Sequence, residues 1–423
     1  MMRLKKLCFA LLLVFILFAG CTSPTQKTDT EKTTKQITKE ERARITQQET
    51  DRITDEITKK ETERITEEIT QKEIDRIVKE RTKQITEQIL GSTNASDTKK
   101  EVPCDLTPTQ RKFNHDLYYT GPLIDAHLHM PVFSQTVSSI AIQSGFQDTP
   151  AFDNELSSDY FICLFKSEGI SKTFGFYIAP NVVLEQSING VKDIEERHPG
   201  KIVAFYMPTP IASLNPDVSQ VEKIILENKG VYKGIGEIKV AFSEVPNADP
   251  EDSEYLALYE IADRHHLIVM LHPNSNNKEA TDRVLTKYPN VKFLLHGGDS
   301  ESWIADLMKN HKNVYYSIDA SITSLYGFSV EHQIKSPGKE KWLEYMNQNF
   351  DSKLDEAITT WKPIIKAYPD RFTWGTDRWY RWQFDAEVGA AVEEFGRSFI
   401  GELDPSVQDK FAYKNAERLL EEG

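Results

Sequence analysis

From about residue 100 onward, short apolar runs alternate with longer stretches whose apolar residues recur at helical spacing. The runs cover 123–127, 173–178, 202–207, 234–240, 267–272, 292–296, 313–318 and 372–377. Most are apolar almost without interruption, as parallel strands covered on both faces must be. Amphipathic stretches at 182–196, 218–228, 254–265, 278–287 and 355–367 predict helices between them. Eight strand–helix units over 101–423 predict an α/β fold, a (β/α)8 TIM-type barrel. A doubly wound open sheet fits the same alternation. Two connections are long, one after strand 1 and one after strand 7 (320–371). Loops of that length are commonly functional; the second, with Gly327, Gly338, Trp342 and Tyr345, reads as a partly ordered lid.

The polar residues choose between the two folds. His127 and His129 close the first run, Leu123-Ile-Asp-Ala-His-Leu-His-Met-Pro131. Two residues apart on a strand, both imidazoles face one side, where a single divalent ion could take both. Glu237 lies in Gly234-Ile-Gly-Glu-Ile-Lys239, His272 ends strand 5, His296 ends strand 6 and Asp377 ends strand 8. In a closed barrel these C-terminal strand ends meet at one mouth. In an open sheet, strands 1 and 8 would lie far apart. Each residue alone has a plainer reading: a hydrogen-bonded structural histidine, a Glu237–Lys239 pair, Asp377 as a helix N-cap. The ordered set of six does not.

That ordered pattern, His-x-His, Glu, His, His, Asp, resembles the metal-dependent amidohydrolase superfamily from about Leu117 to the C-terminus. His296-Gly-Gly and Gly375-Thr-Asp377 are most similar to the amidohydrolase-related branch, which holds aminocarboxymuconate-semialdehyde decarboxylase-like enzymes and lactone hydrolases. Gly236-Glu-Ile238 is also similar to the TatD deoxyribonuclease-like branch, and Asp377-Arg-Trp departs from the proline the first branch tends to place there. The resemblance implies a divalent metal, zinc above all, as one or two ions. It puts His127, His129 and Asp377 at one ion, His272 and His296 at a second, and Glu237 between them or in a single shell. Metal lowers the pKa of bound water toward ~7; Asp377 then serves as general base, and His296 or His272 polarises a carbonyl where it does not ligate.

Further candidates surround this set. Asp125 shares the predicted side of His127 and could orient an imidazole or form a buried ion pair. Asp319 and Asp299 follow strands 7 and 6, with surface loop carboxylates the plainer reading for both. Arg378 and Arg381 flank the aromatics of Trp379-Tyr-Arg-Trp382, so Arg378, like Lys239, is a candidate contact for an anionic substrate, with surface cation–π packing the plainer reading for the arginines.

The front of the chain differs in kind. Residues 1–20 read as a secretory signal peptide ending in a lipoprotein-type box, with Cys21 lipidated. The apolar run is shorter than a membrane span needs. Residues 21–100 form a charged stalk and linker. Within it, isoleucines fall on a four-residue grid at 37, 45, 53, 57, 65, 69, 77, 85 and 89. Each step of four advances about 40° around a helix, so the stripe winds instead of forming a heptad seam. A single charged helix, a right-handed self-associating coil or a disordered spacer each suit that pattern. Of the four cysteines, Cys104 and Cys163 remain for the soluble part; an outside location permits a disulfide between them, and separate buried thiols are the plainer reading.

The formal net charge is −14, with about −16 from residue 91 onward offset by the basic leader, and this disfavours nucleic acid as a partner. There is no Gly-rich phosphate loop, dinucleotide fingerprint or zinc-ribbon spacing. The sequence therefore predicts a lipid-anchored, metal-dependent hydrolase of a small ester, lactone or amide, facing away from the cytoplasm. A non-oxidative decarboxylase and a non-catalytic tethered binding protein are the alternatives.

Overall fold

In the computed structural model, residues 104–108, 110–131, 156–180, 184–208, 217–240, 249–297, 300–319 and 337–421 are described, with short pieces between 44 and 62. The predicted leader, Cys21, most of the stalk, Asp299 and Gly327 lie outside the described residues. The chain divides into two compact units, 1–74 and 75–423. In the first, residues 47–54 are helical, and Gln47 reaches Asp51 one turn on at 2.8 Å. Among the described residues no helix is long and apolar enough to cross a membrane.

The second unit is a barrel of eight parallel strands in chain order. They are β1 (Leu123–His129), β2 (Ile170–Ile178), β3 (Ile202–Met207), β4 (Tyr232–Lys239), β5 (Ile268–His272), β6 (Phe293–Leu295), β7 (Val314–Ile318) and β8 (Phe372–Trp374). Closure comes from β1 and the segment after β8: Asp377 N donates to His127 O at 2.7 Å, and His129 N to Arg378 O at 2.9 Å. Around the strands run α1 (Ser158–Ser167), α2 (Leu184–Arg197), α3 (Val218–Glu227), α4 (Ser253–His265), α5 (Lys278–Lys287), α6 (Ile304–Asn310), α7 (Lys339–Ala367) and α8 (Ala386–Glu402).

Alternation along the strands sorts the core into two layers. Ile124, Ala126, Phe174, Phe176, Phe205, Met270, Leu294 and Tyr315 fill the lumen, closed below by Ala416 and Leu419 of the C-terminal helix. Their neighbours, such as Leu123, Tyr206, Ile235, Leu271 and Tyr316, face the surrounding helices. Near the upper rim, two extra residues interrupt this order. Asp125 to Leu128 pairs against Thr173 to Gly175, and Ile235 to Ile238 against Val269 to Leu271, so β1 and β4 each carry a bulge there. A bulge inserts one residue and re-aims the side chains beyond it. Past these two bulges His127, His129, Glu237 and Lys239 join the inward-facing set.

The structure changes two expectations. The helix expected at 355–367 starts at Lys339, and Trp342 and Tyr345, read as lid residues, are buried in it together with Met346, Phe350, Leu354 and Trp361. These positions recur every three to four residues, so the face is continuous with the core despite the polar residues between them. Residues 320–336 of that connection lie outside the described residues.

Cys104 and Cys163 are not separate buried thiols. They form a disulfide with Cα atoms 5.3 Å apart, and Cys104 is exposed. It ties the segment entering the barrel to α1, across 59 residues. Glu394 of α8 holds the same segment by accepting the backbone N–H groups of Lys112, Phe113 and Asn114. Replacing both cysteines by serine is expected to cost about 2–4 kcal/mol, because the open chain regains the entropy the loop had lost. Urea unfolding checks this: an unchanged midpoint would show that the Glu394 contacts alone hold the segment.

Candidate metal centre

The upper rim of the barrel gathers seven ionisable side chains. His127 and His129 come from β1, Glu237 from β4, His272 from β5, His296 from just beyond β6, Asp319 from just beyond β7 and Asp377 from beyond β8. Within this cluster, ligand atoms of His127, His296, Asp319 and Asp377 lie within 4.8 Å of one another. The same holds for His127, His129 and Glu237, and for Glu237, His272 and His296. The fold thus brings together all six residues singled out from the sequence and adds Asp319.

Glu237 is the hub. Its Oε1 lies 2.6 Å from both His272 Nδ1 and His296 Nε2, and its Oε2 lies 3.3 Å from His129 Nε2 and 3.2 Å from Lys239 Nζ. Asp377 Oδ1 stands 3.1 Å from His129 Nε2 and 3.5 Å from His127 Nε2. Asp377 adopts φ 52°, a left-handed conformation that costs an L residue about 1–3 kcal/mol and recurs at functional sites. Asparagine and aspartate tolerate it best.

Burial and mutual charge set the protonation of the cluster. Burial alone would raise the Glu237 carboxyl, but Lys239, His296 and His272 together hold it well below its usual range. Burial raises Asp377 to about 6, with His127 opposing and the Asp319 and Glu237 charges adding. Burial lowers His127 and, further, His129, which Lys239 also repels. His296 goes the other way, to about 10, because Glu237 and Asp319 outweigh its burial.

The donor set suits a divalent cation. Three carboxylates converge on four imidazoles, with Lys239 the one ammonium paired into the cluster among the described residues. His127 Nε2 is buried and has no hydrogen-bond partner. A buried acceptor left so costs about 1–3 kcal/mol unless something else satisfies it. Nitrogen and carboxylate donors in this number are what a catalytic zinc-type centre uses.

The members of the cluster differ in exposure. Side chains of Asp377, His272 and Lys239 are 15%, 18% and 14% exposed, whereas the other members reach at most 2%. Trp379 packs beside them, its ring nearly perpendicular to that of His129 with centroids 4.1 Å apart, and Lys239 Nζ lies over its face 5.1 Å from the centroid.

The geometry corrects three sequence readings. Asp125 does not orient a histidine ring. The bulge turns its carboxylate to the backbone N–H groups of His127 and Thr376 and to the Thr376 hydroxyl, pinning β1 to the segment after β8. Arg378 is not in the cluster: it is fully buried, its guanidinium on Glu168. Its guanidinium also lies over the Phe165 ring of α1, 5.5 Å from the centroid, so this side chain turns to the helices while that of Asp377 faces inward. Asp319 is no surface carboxylate, being 2% exposed. Alternation along β7, with Tyr315 in the lumen, puts it on the inward face, a signal available in the sequence.

Residues 209–421 match the family model described as amidohydrolase. No curated protein matches the chain. Among solved structures the chain is similar to an uncharacterized TIM-barrel protein from Bordetella bronchiseptica, at 16% identity over 71% of this chain and 99% of that one, TM-score 0.43. An amidohydrolase from Burkholderia multivorans with bound zinc aligns at 12% identity over 71% and 99%, TM-score 0.46. A 2,6-dihydroxybenzoate decarboxylase from Rhizobium aligns at 12% identity over 71% and 99%, TM-score 0.39.

Proposed function

Because the chain belongs to the amidohydrolase family, we propose that it is a metal-dependent hydrolase of a small ester, lactone or amide. The observation that carries this is Asp377, a partly exposed carboxylate of the cluster, within 3.5 Å of both His127 and His129 nitrogens. His127, His129, Asp377 and Glu237 would hold one zinc ion, and His272 and His296 the second where two bind. When bound, the metal supplies a Lewis acid that acidifies water and polarises a substrate oxygen. Asp377 takes the proton from the attacking water and returns it to the leaving oxygen or nitrogen. His272, also partly exposed, contacts the substrate carbonyl when it is not a ligand. Lys239, held between Glu237 and the Trp379 face, receives an anionic substrate group.

One observation also favours non-oxidative decarboxylation: the Lys239 ammonium beside the cluster suits the carboxylate such a substrate must carry. The two reactions separate by product. Hydrolysis consumes one water and yields an acid with an alcohol or amine; decarboxylation releases carbon dioxide and leaves a proton on the substrate carbon.

The same reading covers the rest of the chain. The leader at 1–20 would be removed, Cys21 lipidated, and residues 21–100 would hold the barrel (101–423) off the outer side of a membrane, with self-association through the stalk. The Cys104–Cys163 disulfide supports an oxidising compartment. The test is metal content of the purified chain beside His127→Ala/His129→Ala, with ester, lactone, amide and carboxylate substrates assayed next. One or two ions per chain, absent from the double variant, with acid release is the expected result. Carbon dioxide release would move the assignment to decarboxylase, and no ion after reconstitution would leave a tethered binding protein.

A further inference from the structure

Asp319 stands just beyond β7, 2% exposed. Its Oδ2 lies 2.9 Å from His127 Nδ1 and 3.4 Å from His296 Nδ1. The other ring nitrogen of His127, Nε2, is buried without a hydrogen-bond partner and is the one that faces Asp377 at 3.5 Å. Asp319 thus meets the ring nitrogen of His127 other than the one that faces Asp377. Packing fixes the plane of that ring, with Phe176 edge-on at 5.0 Å and His296 at 4.2 Å. Packing does not decide which nitrogen carries the proton. A carboxylate at Nδ1 does, because it accepts and cannot donate. Only the Nδ1–H form leaves a lone pair on Nε2 for an ion.

We infer that Asp319 is a positioning residue: it holds His127 in the Nδ1–H form and so presents Nε2 to the metal. Its second contact braces the His296 ring against the same carboxylate, linking strands β1, β6 and β7 through one side chain. The inference rests on the metal-centre reading and on no particular substrate.

Asp319→Asn keeps the shape but offers an amide N–H₂ that can select the wrong tautomer, as replacing the buried aspartate of a serine-protease triad does. In the full chain its zinc dissociation constant, read by competition with a chromophoric chelator, is expected to rise about 10–100-fold. The metal-free variant should melt as the wild type does. The loss should persist in a His296→Gln background, since the effect passes through His127. Nitrogen-15 histidine spectra of the zinc-loaded wild type supply a check independent of any variant, with His127 protonated at Nδ1.

An unchanged zinc constant in Asp319→Asn, a loss that vanishes with His296→Gln, or His127 protonated at Nε2 would each overturn the inference. So would a cobalt(II) spectrum of the variant showing one ligand fewer, which would make Asp319 a ligand itself. A wild type that binds no zinc would instead bring down the metal reading with it.

Discussion

Asp377→Asn is expected to slow turnover by about 10²–10⁴-fold, the usual contribution of a positioned general base. Asparagine fits the left-handed backbone at this position, so the variant keeps the local fold. It also keeps an oxygen facing His129. What it loses is the ability to take a proton from water and return it to the leaving group. Zinc per chain must be measured with the rate. A slow variant with full zinc assigns Asp377 to proton transfer; a slow variant without zinc assigns it to ligation. Turnover within threefold of wild type would put the base at another partly exposed member of the cluster, with His272 the remaining candidate.

The site was legible because its chemistry has to sit at particular places. Strand ends of a closed barrel meet, so histidines and carboxylates closing successive apolar runs belong together before any contact is known. His127, His129, Glu237, His272, His296 and Asp377 could all be found that way, and all lie within one cluster of the described residues. What stayed hidden depends on partners. A bulge is an extra residue opposite a neighbouring strand, and nothing in β1 itself marks it; Asp125 was placed with the histidines by simple alternation and lies instead against Thr376. Asp319 and Asp299 look alike as carboxylates after short strands, and it is the alternation from Tyr315 along β7 that turns the first inward, onto His127. The disulfide joins cysteines 59 residues apart through a docking that no local pattern encodes. Arg378 differs for another reason: its neighbours Asp377 and Trp379 lie at the cluster, whereas its own guanidinium is buried on Glu168 and over the Phe165 ring.

Arg378 leads to the other large effect. Its guanidinium makes two hydrogen bonds to Glu168, at 2.9 and 3.2 Å, and both side chains are 0% exposed. Burial pushes the Glu168 carboxyl up, and the Arg378 charge opposes it. Glu168→Ala leaves a fully buried guanidinium without its anion, which costs about 3–5 kcal/mol. Removing both charges is a different operation. Glu168→Leu with Arg378→Met takes away the pair and its desolvation cost together, and such replacements are often neutral. The double variant should therefore recover most of the stability lost by the single one. Urea unfolding of the three proteins measures this directly, and equal midpoints for wild type and Glu168→Ala would show that Arg378 finds another acceptor. The pair also bears on the centre. His129 N donates to Arg378 O, and Asp377 precedes Arg378 in the chain, so the ion pair anchors from outside the barrel the segment whose preceding residue faces in. Glu168→Ala should accordingly lower turnover as well as stability, and the double variant should restore both; restored stability with turnover still lost would separate the anchor from the fold.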